Sequence, residues 1–391
     1  MGTAIPIIIF LLILGIVIFV HELGHFFAAR RAGIFVEEFA MGMGPKLFSF
    51  KGKKKFLLAD FNEDDMAMVV GGGPAPAPVP VEYWDSTLYS LRAFPIGGFC
   101  KMRGMDEDLP NDPMALNNKS IPARMLVMAG GSLMNFLLAF IIFFAIAVLW
   151  GYQVPEVRSV RPSSPGYEAG LVPGDRITHI NGTRTSLYDD YLFMVLVSSH
   201  DTMDLRVRRG AETLNMQMTP LITEAGQIVL GFSTQRRYGF LSQVPEGEAR
   251  RVVIHESMLN AGQSIVHHIR TPFRMLSRFV TRQPLPEGGV MGPIGLGGAV
   301  TEVYQIVSEY GFLETLYTML FIAAIINAAL GVMNLLPIPA LDGARLVFLA
   351  LEGIRKKPVT PEREAMVHLV GLVALLLLAV FIAYRDIVRL I

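Results

Sequence analysis

Two histidines stand four positions apart in residues 21–25, and a glutamate directly follows the first of them. On a helix, residues four apart share one face, so His21 and His25 can reach the same metal ion, while Glu22 lies beside the water that the metal binds. Zinc lowers the pKa of such a water and polarises a carbonyl group, and a carboxylate can pass the proton to a leaving amine. The pattern therefore indicates a zinc site suited to peptide hydrolysis.

The position of this pattern supports the metal site. An almost uncharged apolar run, residues 4–20, leads directly into His21. Polar side chains at such a place are costly unless they pair, bind a metal or line a wet cavity. The alternative is a pair of helix-end histidines at a membrane interface, and the sequence favours the metal site over it.

A third protein ligand is needed, because a catalytic zinc site normally holds three side chains and leaves one position open. Residues 334–343 offer Asp342, directly after a break in an apolar segment. Pro337 and Pro339 end the helix there, and irregular backbone at membrane depth is tolerated only where it is buried in protein or lines a cavity. An ordinary turn or helix-capping Asp-Gly pair is the alternative. The sequence favours Asp342 as a ligand.

The elements that must position these groups are transmembrane helices. The chain has 391 residues, of which 52% are hydrophobic and 17% charged, whereas about a quarter are charged in soluble proteins. Four apolar segments have the length of a membrane span: residues 5–30, 125–150, 316–336 and 366–384. The first is a poor signal peptide, because it has neither a basic start nor a cleavage pattern. The single cysteine, Cys100, excludes an internal disulfide and a thiolate zinc cluster.

Basic residues predict the orientation of these spans. Lys and Arg are frequent near the membrane ends of two loops, the one between the first and second spans and the one between the third and fourth. The positive-inside rule places both loops in the cytoplasm, so both ends of this chain and the middle loop lie outside it. Lys plus Arg and Asp plus Glu balance at 34 each, which gives no indication of nucleic-acid binding. The lipid bilayer is the expected surrounding.

The segments outside the spans differ in character. Residues 33–50 and 88–102 alternate apolar and polar side chains between Gly and Pro turns, which predicts strands. Residues 62–80 are acidic and then rich in Gly, Ala and Pro, which predicts a flexible insertion. Residues 153–221 have the size of a small domain. Residues 248–281 predict an amphipathic helix near the outer membrane surface, and interfacial exposure explains its histidines better than metal binding does.

Residues 21–25 and 334–343 together resemble the site-2 protease family, in particular the bacterial RIP zinc metalloproteases of the regulator of sigma-E protease type. The resemblance covers nearly the whole chain. Further matching segments are 36–47 (VEEFAMGMGPKL), 89–102 (YSLRAFPIGGFCKM), 134–136 (MNF) and 291–295 (MGPIG). Residues 165–177 (PGYEAGLVPGDRI), followed by 180–182 (ING), look like the signature of one PDZ domain.

The resemblance implies that His21, His25 and Asp342 bind zinc and that Glu22 is the catalytic general base. The implied protein is a zinc metalloendopeptidase of the bacterial inner membrane that cleaves peptide bonds within or near transmembrane segments. In regulated intramembrane proteolysis, such cleavage acts on anti-sigma factors or remnant signal peptides. The implied partners are single-span membrane protein substrates, with peptide C-termini as candidate ligands of the PDZ-like domain.

The implied fold class is an α-helical polytopic membrane protein with four transmembrane helices, a cytoplasmic membrane-associated β-hairpin region and an inserted extracytoplasmic PDZ-like α+β domain. The expected segments are helix one (1–31), the hairpin region (32–122), helix two (123–151), the PDZ-like domain (152–222), a linker with the amphipathic helix (223–311), helix three (312–344), and a loop with helix four (345–391). Gly131-Ser132 replaces the more usual Gly-Pro of the family, and the insertion replaces a short turn. Neither change affects a predicted ligand.

Six further residues are candidate substrate contacts. A strand edge at Gly97 and Gly98 could hold an unwound substrate by main-chain pairing, although simple loop structure is an equal alternative. Asn135 and Asn334 are polar groups within spans, so each either bonds a neighbouring helix or contacts substrate, and Asn135 leans towards the former. The candidates are Asn135, Asn334, Pro337, Pro339, Gly97 and Gly98.

Two other functions are compatible with parts of the sequence. An inactive membrane scaffold could present the PDZ-like domain, but the intact His21, Glu22, His25 and Asp342 argue against it. A transporter could move protons or metal through the same residues. Four spans without evident internal repeats disfavour it.

Overall fold

The computed structural model describes residues 4–51, 55–58, 87–105, 109–198, 201–223, 228–242, 251–282 and 292–390. The chain divides into two compact units. The first contains residues 1–138, 291–315 and 325–391, and the second contains residues 139–290 and 316–324. The insertion predicted at residues 62–80 lies outside the described residues.

Long apolar helices dominate the described chain. The helices are α1 (Ala4–Arg31), α2 (Ile121–Leu149), α3 (Pro165–Glu168), α4 (Tyr188–Ser198), α5 (Ile254–Val280), α6 (Pro293–Ser308), α7 (Phe312–Leu335), α8 (Asp342–Arg355) and α9 (Pro361–Leu390). Among the described residues, α1, α2, α7 and residues 362–386 of α9 are long and apolar enough to cross a membrane. At about 1.5 Å per residue, each exceeds the roughly 30 Å hydrocarbon core. The prediction of four spans is confirmed as far as length and composition decide it.

The break after α7 follows from its prolines. Leu336, directly after α7, has extended backbone. Proline lacks the N–H that a helix needs, and the residue before a proline is pushed out of the helical region, so the Pro337 and Pro339 pair prevents continuation. Ala340 then adopts a φ of +75°, in the left-handed region that side chains rarely occupy. The chain re-enters helical structure at Asp342, the first residue of α8.

The first unit contains a small three-stranded sheet, in which two strands are long and irregular. Its strands are β1 (Val36–Lys51), β2 (Lys55–Leu58) and β3 (Leu88–Met102), in the order β2-β1-β3. Gly42, Gly44 and Gly97 have φ values of +82°, +83° and +88°, which glycine adopts without steric cost, and the register of β1 against β3 shifts between Met41 and Lys46. Residues 98–102 of β3 pair antiparallel with 36–41 of β1 and form an edge of the described sheet.

Close contact between α1 and α2 depends on small residues. A Cβ atom added to Gly24 of α1 would lie 2.1 Å from the carbonyl oxygen of Gly130 in α2. Small residues let helix backbones approach in a membrane, where packing replaces the hydrophobic effect as the driving force. The core beside this crossing joins α1, β1, β3, α2 and α8 through buried apolar side chains, namely Ala29, Ile34, Val36, Phe39, Cys100, Met102, Leu116, Val127, Met128 and Leu349.

The second unit contains a larger antiparallel sheet. Its strands are β4 (Gly151–Val160), β5 (Arg176–Ile180), β6 (Thr183–Arg184), β7 (Met203–Arg209), β8 (Glu212–Met218) and β11 (Phe232–Tyr238), and a separate pair is formed by β9 (Leu221–Ile222) and β10 (Ile228–Val229). The order is β11-β4-β5-β7-β8, with β6 beside β5. Strand β11 therefore belongs to the sheet although residues 223–311 were expected to be a linker. Alternate residues of the strands face α4 in a core that includes Val157, Ile177, Tyr191 and Leu205.

The amphipathic helix expected at residues 248–281 is α5. One of its histidines is not an exposed interfacial group: His267 is buried, and its Nδ1 lies 2.8 Å from Oδ1 of Asp190 in α4. Arg274 donates to the same oxygen at 3.0 Å. Burial of the Asp190 carboxyl raises its pKa, but His267 and Arg274 outweigh that effect and lower the pKa to about 2. The pairing ties α5 to α4 by charge as well as by apolar contact.

A buried carboxylate fixes the turn before β5. Asp175 is fully buried and accepts hydrogen bonds from the Val172 amide at 3.0 Å and from two guanidinium nitrogens of Arg209 at 2.8 Å each. Burial alone raises the pKa of Asp175, but the bonds from Arg209 and Val172 hold it below its ordinary value. The ionised form is therefore the one that the fold stabilises.

We expect Asp175→Asn to loosen β5 and β7. Hydrogen exchange of the full chain in detergent should show roughly tenfold faster exchange in these strands at neutral pH, as for one lost charge-assisted bond. The folded pKa is lowered, so the stabilisation is complete above the ordinary pKa of aspartate and disappears as pH falls through the lowered value. After correction for intrinsic exchange rates, the difference between variant and wild type should shrink in acid. A difference that stays constant would contradict the assignment.

Candidate metal centre

Three side chains from two helices bring donor atoms to one point in the first unit. His21 and His25 project from the second half of α1, and Asp342 is the first residue of α8. Nε2 of His21 lies 3.2 Å from Nε2 of His25, and Oδ2 of Asp342 lies 3.2 Å and 3.1 Å from these two nitrogens. Both histidines are buried, while the Asp342 side chain is 21% exposed. Among the described residues, this is the group able to hold a metal.

The hydrogen bonds around the imidazoles decide which nitrogen faces the centre. Nδ1 of His25 lies 2.8 Å from the Val127 carbonyl oxygen, which can only accept, so Nδ1 carries the proton. Nε2 of a neutral His25 then presents a bare lone pair to Oδ2 of Asp342. Two acceptors at 3.1 Å repel each other unless a positive species, a metal ion or a proton, lies between them.

His21 has a corresponding partner on α2. The side chain of Asn135 is completely buried, and its amide nitrogen lies 3.2 Å from Nδ1 of His21, while its oxygen has no partner. The two ends of an amide are interchangeable by a half-turn, which would let the Asn135 oxygen accept the proton of His21 Nδ1. Nε2 of His21 would then also be free for the centre. Metal-bound histidines normally have such a second partner.

The spacing of the donor atoms fits zinc. Ligands at about 2.0–2.1 Å from a tetrahedral ion stand roughly 3.3 Å apart, and the three distances here are 3.1–3.2 Å. Two imidazoles and one carboxylate are also the hard and borderline ligands that zinc accepts. The residues present therefore suit a three-ligand site that leaves a fourth direction open.

Helix α2 forms one wall of the centre because it carries a glycine there. A Cβ atom on Gly131 would lie 2.6 Å from Cε1 of His21 and 2.6 Å from Nε2 of His25. Real side chains do not approach that closely, so the rings can occupy these positions only beside a glycine. The importance of this residue was not foreseen, although Gly130-Gly131 in an apolar span is a signal of close helix packing.

The side chain of Glu22 extends from α1 to β3. Its carboxylate accepts a hydrogen bond from the backbone N–H of Cys100, and a Cβ atom on Gly98 would lie 3.2 Å from Cγ of Glu22. Glu22 therefore faces the same space as the imidazoles, with the edge segment of β3 directly beside it. A carboxylate in that place can accept a proton from a group at the centre.

A cavity of about 830 Å³ opens beside the centre. Three of the six candidate substrate contacts line it, namely Asn334, Gly97 and Gly98. The other three lie elsewhere: Asn135 packs behind His21, Pro339 contacts α9, and Pro337 belongs to the turn after α7. The lining residues that were not identified from sequence include Arg345 and His368. Arg345 follows Asp342 by three residues, and that spacing on one helix face could have indicated it.

Comparison with known proteins gives matches over almost the whole chain. The family model described as Peptidase family M50 matches residues 9–58 and 68–378. A relative from Clostridium perfringens is 31% identical over 384 residues, which cover 98% of each chain. The regulator of sigma-W protease RasP of Bacillus subtilis is 29% identical over 437 residues, with 98% of each chain covered. The zinc metalloprotease RasP of Shouchella clausii is 27% identical over 463 residues, covering 97% of this chain and 98% of its own.

Solved structures match a shorter part of the chain. The PDZ domain of an SdrC-like protein from Listeria monocytogenes is 22% identical, covers 21% of this chain and 88% of its own, and has a TM-score of 0.19. The corresponding domain from Listeria innocua is 21% identical and covers 22% of this chain and 97% of its own, with the same TM-score of 0.19.

We expect Gly131→Ala to weaken metal binding by more than tenfold, because the added methyl group displaces both imidazoles. Alanine favours helices, so α2 should remain intact. The measurement is zinc affinity of the purified chain in detergent, by competition with a chromophoric chelator. The matched control is Gly15→Ala in α1, where a Cβ atom meets nothing within 4 Å. Equal affinity in both variants would show that α2 does not confine the rings.

Proposed function

The chain belongs to peptidase family M50, and on that premise we propose that it is a zinc-dependent intramembrane protease that hydrolyses peptide bonds within or near transmembrane segments of other membrane proteins. The observation that carries the proposal is the convergence of His21, His25 and Asp342 at zinc spacing, with Glu22 beside them. The centre is built on a membrane-spanning helix, so its substrate has to reach it at membrane depth.

His21, His25 and Asp342 would hold the zinc, and Glu22 would act as general base. When bound, zinc supplies Lewis acidity, which lowers the pKa of water and polarises a carbonyl group. Glu22 takes the proton of the attacking water and then delivers it to the nitrogen of the leaving amine. The N–H of Cys100 holds the Glu22 carboxylate in place during these transfers. Val127 and Asn135 fix the rings of His25 and His21.

The edge of β3 supports a way to present the substrate. Residues 97–102 line the cavity, and residues 98–102, among the described strands, pair with β1 on one side only. An unwound substrate segment can add to that edge as a further strand, which supplies main-chain hydrogen bonds and leaves its peptide bonds open to attack. In a helical substrate the carbonyl groups are bonded within the helix and are not accessible to attack. Pairing with β3 would favour the extended form of the substrate over the helical form.

The proposal extends to location and partners. The protein spans the inner membrane of a bacterium, with the β1–β3 region in the cytoplasm and the domain built on β4–β8 and β11 outside it. Single-span membrane proteins are its substrates, and regulated intramembrane proteolysis is its role, in the cleavage of anti-sigma factors or remnant signal peptides. The outer domain, which resembles a PDZ domain, would select substrates by size or bind their exposed C-termini at the β11 edge.

We expect Glu22→Gln to slow cleavage strongly while zinc remains bound. Loss of a general base lowers the rate by about 10²- to 10⁴-fold. His21→Ala should lose both cleavage and zinc. The assay is hydrolysis of a purified single-span substrate in detergent, with zinc content measured on the same samples. Cleavage by Glu22→Gln at the wild-type rate would exclude the proposed mechanism, and absence of cleavage by the wild type would favour a scaffold.

We expect opposite labelling of two introduced cysteines in intact cells. Arg184 and Lys357 are both exposed, whereas the natural Cys100 is buried and gives a low background. A membrane-impermeant maleimide should label Arg184→Cys directly and Lys357→Cys only after permeabilisation. The reverse pattern would invert the proposed orientation without affecting the chemistry.

A further inference from the structure

Helix α9 contacts the rest of the first unit along one narrow face. Most of its described side chains are exposed, but one row along the helix is buried or half-buried. Its members stand three or four residues apart, except for one step of two helical turns in which the intervening residues are exposed. We call this row the α9 seam; it consists of Glu364, His368, Gly371, Leu375, Ile382 and Asp386. A seam of this kind predicts that α9 docks in one rotational setting and register.

One end of the seam is fixed by a buried carboxylate. Asp386 is 3% exposed, and its Oδ2 accepts hydrogen bonds from the amides of Gly292 at 3.1 Å and Gly295 at 2.7 Å. A Cβ atom on either glycine would lie within 3.0 Å of the Asp386 carboxylate. The start of α6 is therefore joined to α9 at a defined height.

The N-terminal part of the seam holds the turn that precedes Asp342. Nδ1 of His368 accepts a hydrogen bond of 2.9 Å from the backbone N–H of Ala340. Ala340 is the residue with a φ of +75°, and such backbone persists only where its surroundings hold it. The bond reaches that strained residue from a different helix, two positions before the predicted ligand.

Gly371 makes a second contact with the same turn. It lies three residues after His368, on the same face of α9. A Cβ atom on Gly371 would lie 2.2 Å from Cβ of Pro339 and 2.9 Å from its carbonyl group. The absence of a side chain there lets Pro339 rest against the helix backbone.

From these contacts we infer that α9 is the positioning element for the third zinc ligand: His368 and Gly371 hold Pro339 and Ala340 in the conformation that aims Asp342 at His21 and His25. His368 is thus a positioning residue, which acts through the backbone and not on the substrate. The inference rests on the proposed function, since it assigns a cause to the geometry of that zinc site.

The test measures zinc affinity of the full chain in detergent and the visible spectrum of the cobalt-substituted protein, which reports ligand geometry independently of activity. His368→Leu removes the acceptor and should lower zinc affinity about tenfold, with a changed cobalt spectrum. His368→Asn keeps an acceptor near the position of Nδ1 and should restore most of the affinity. Gly371→Ala should lower affinity to a similar degree.

A second-site change provides an internal check. Ala340→Gly removes the steric cost of the left-handed conformation, so the turn should depend less on His368. We expect the double variant His368→Leu with Ala340→Gly to recover zinc affinity relative to His368→Leu alone. The matched control for Gly371→Ala is Gly353→Ala in α8, where a Cβ atom meets only an ordinary contact of 3.8 Å.

Different results would exclude the role of α9 and the zinc site itself. Wild-type zinc affinity and cobalt spectrum in both His368→Leu and Gly371→Ala would overturn the role of α9 while leaving the zinc site intact. Equal zinc binding by the wild type and His21→Ala would instead overturn the zinc site itself. Loss of affinity in His368→Leu without recovery in the Asn or Ala340→Gly variants would show that the bond to Ala340 is not the cause.

Discussion

The constraint on which the rest of the structure depends is the close approach of two hydrogen-bond acceptors, Nε2 of His25 and Oδ2 of Asp342. Their repulsion is relieved only when a metal ion or a proton lies between them. The Val127 carbonyl places the proton of a neutral His25 on Nδ1, which turns the lone pair of Nε2 towards the Asp342 carboxylate at 3.1 Å. In a low-dielectric interior such an arrangement is unfavourable by itself. It becomes favourable with a cation at the centre, where the two imidazoles and the carboxylate act together. The surrounding helices and strands keep His21, His25 and Asp342 together.

Glycine recurs around the centre, because it lets backbone approach where a side chain would displace the predicted ligands. Gly24 and Gly130 bring α1 and α2 into contact, Gly131 admits both imidazoles, and Gly98 brings β3 beside Glu22. Gly24, Gly130 and Gly131 lie at the contact between α1 and α2, and Gly98 lies at the contact between α1 and β3. Gly131 and Gly98 border the centre directly. The precision of the site therefore comes from helix and strand backbones, which move less than side chains do. That is the condition for fixed catalytic geometry.

Local periodicity made much of this predictable. The i, i+4 spacing of His21 and His25 and the length of the apolar runs need only the geometry of one helix. Asp342 was predicted as a ligand from its proline-broken context, but only the fold brings this residue, 321 positions after His21, within 3.2 Å of it. Strand β11 pairs with β4, which lies far earlier in the chain, and such a long-range pairing is not indicated by the residues of β11 themselves. A single histidine in an apolar span, such as His368, has no spacing pattern, and its contact with Ala340 is visible only in three dimensions.

The distance along the chain between the ligands has a consequence for biosynthesis. His21 leaves the ribosome early, but the turn before Asp342 rests on α9 through His368 and Gly371. With α9 as its support, the centre cannot close until residue 371 has been translated and its helix has docked. A nascent chain would thus spend most of its insertion into the bilayer incapable of cutting neighbouring proteins. The order of the ligands along the chain would therefore delay activity until synthesis is nearly finished, without a separate inhibitor.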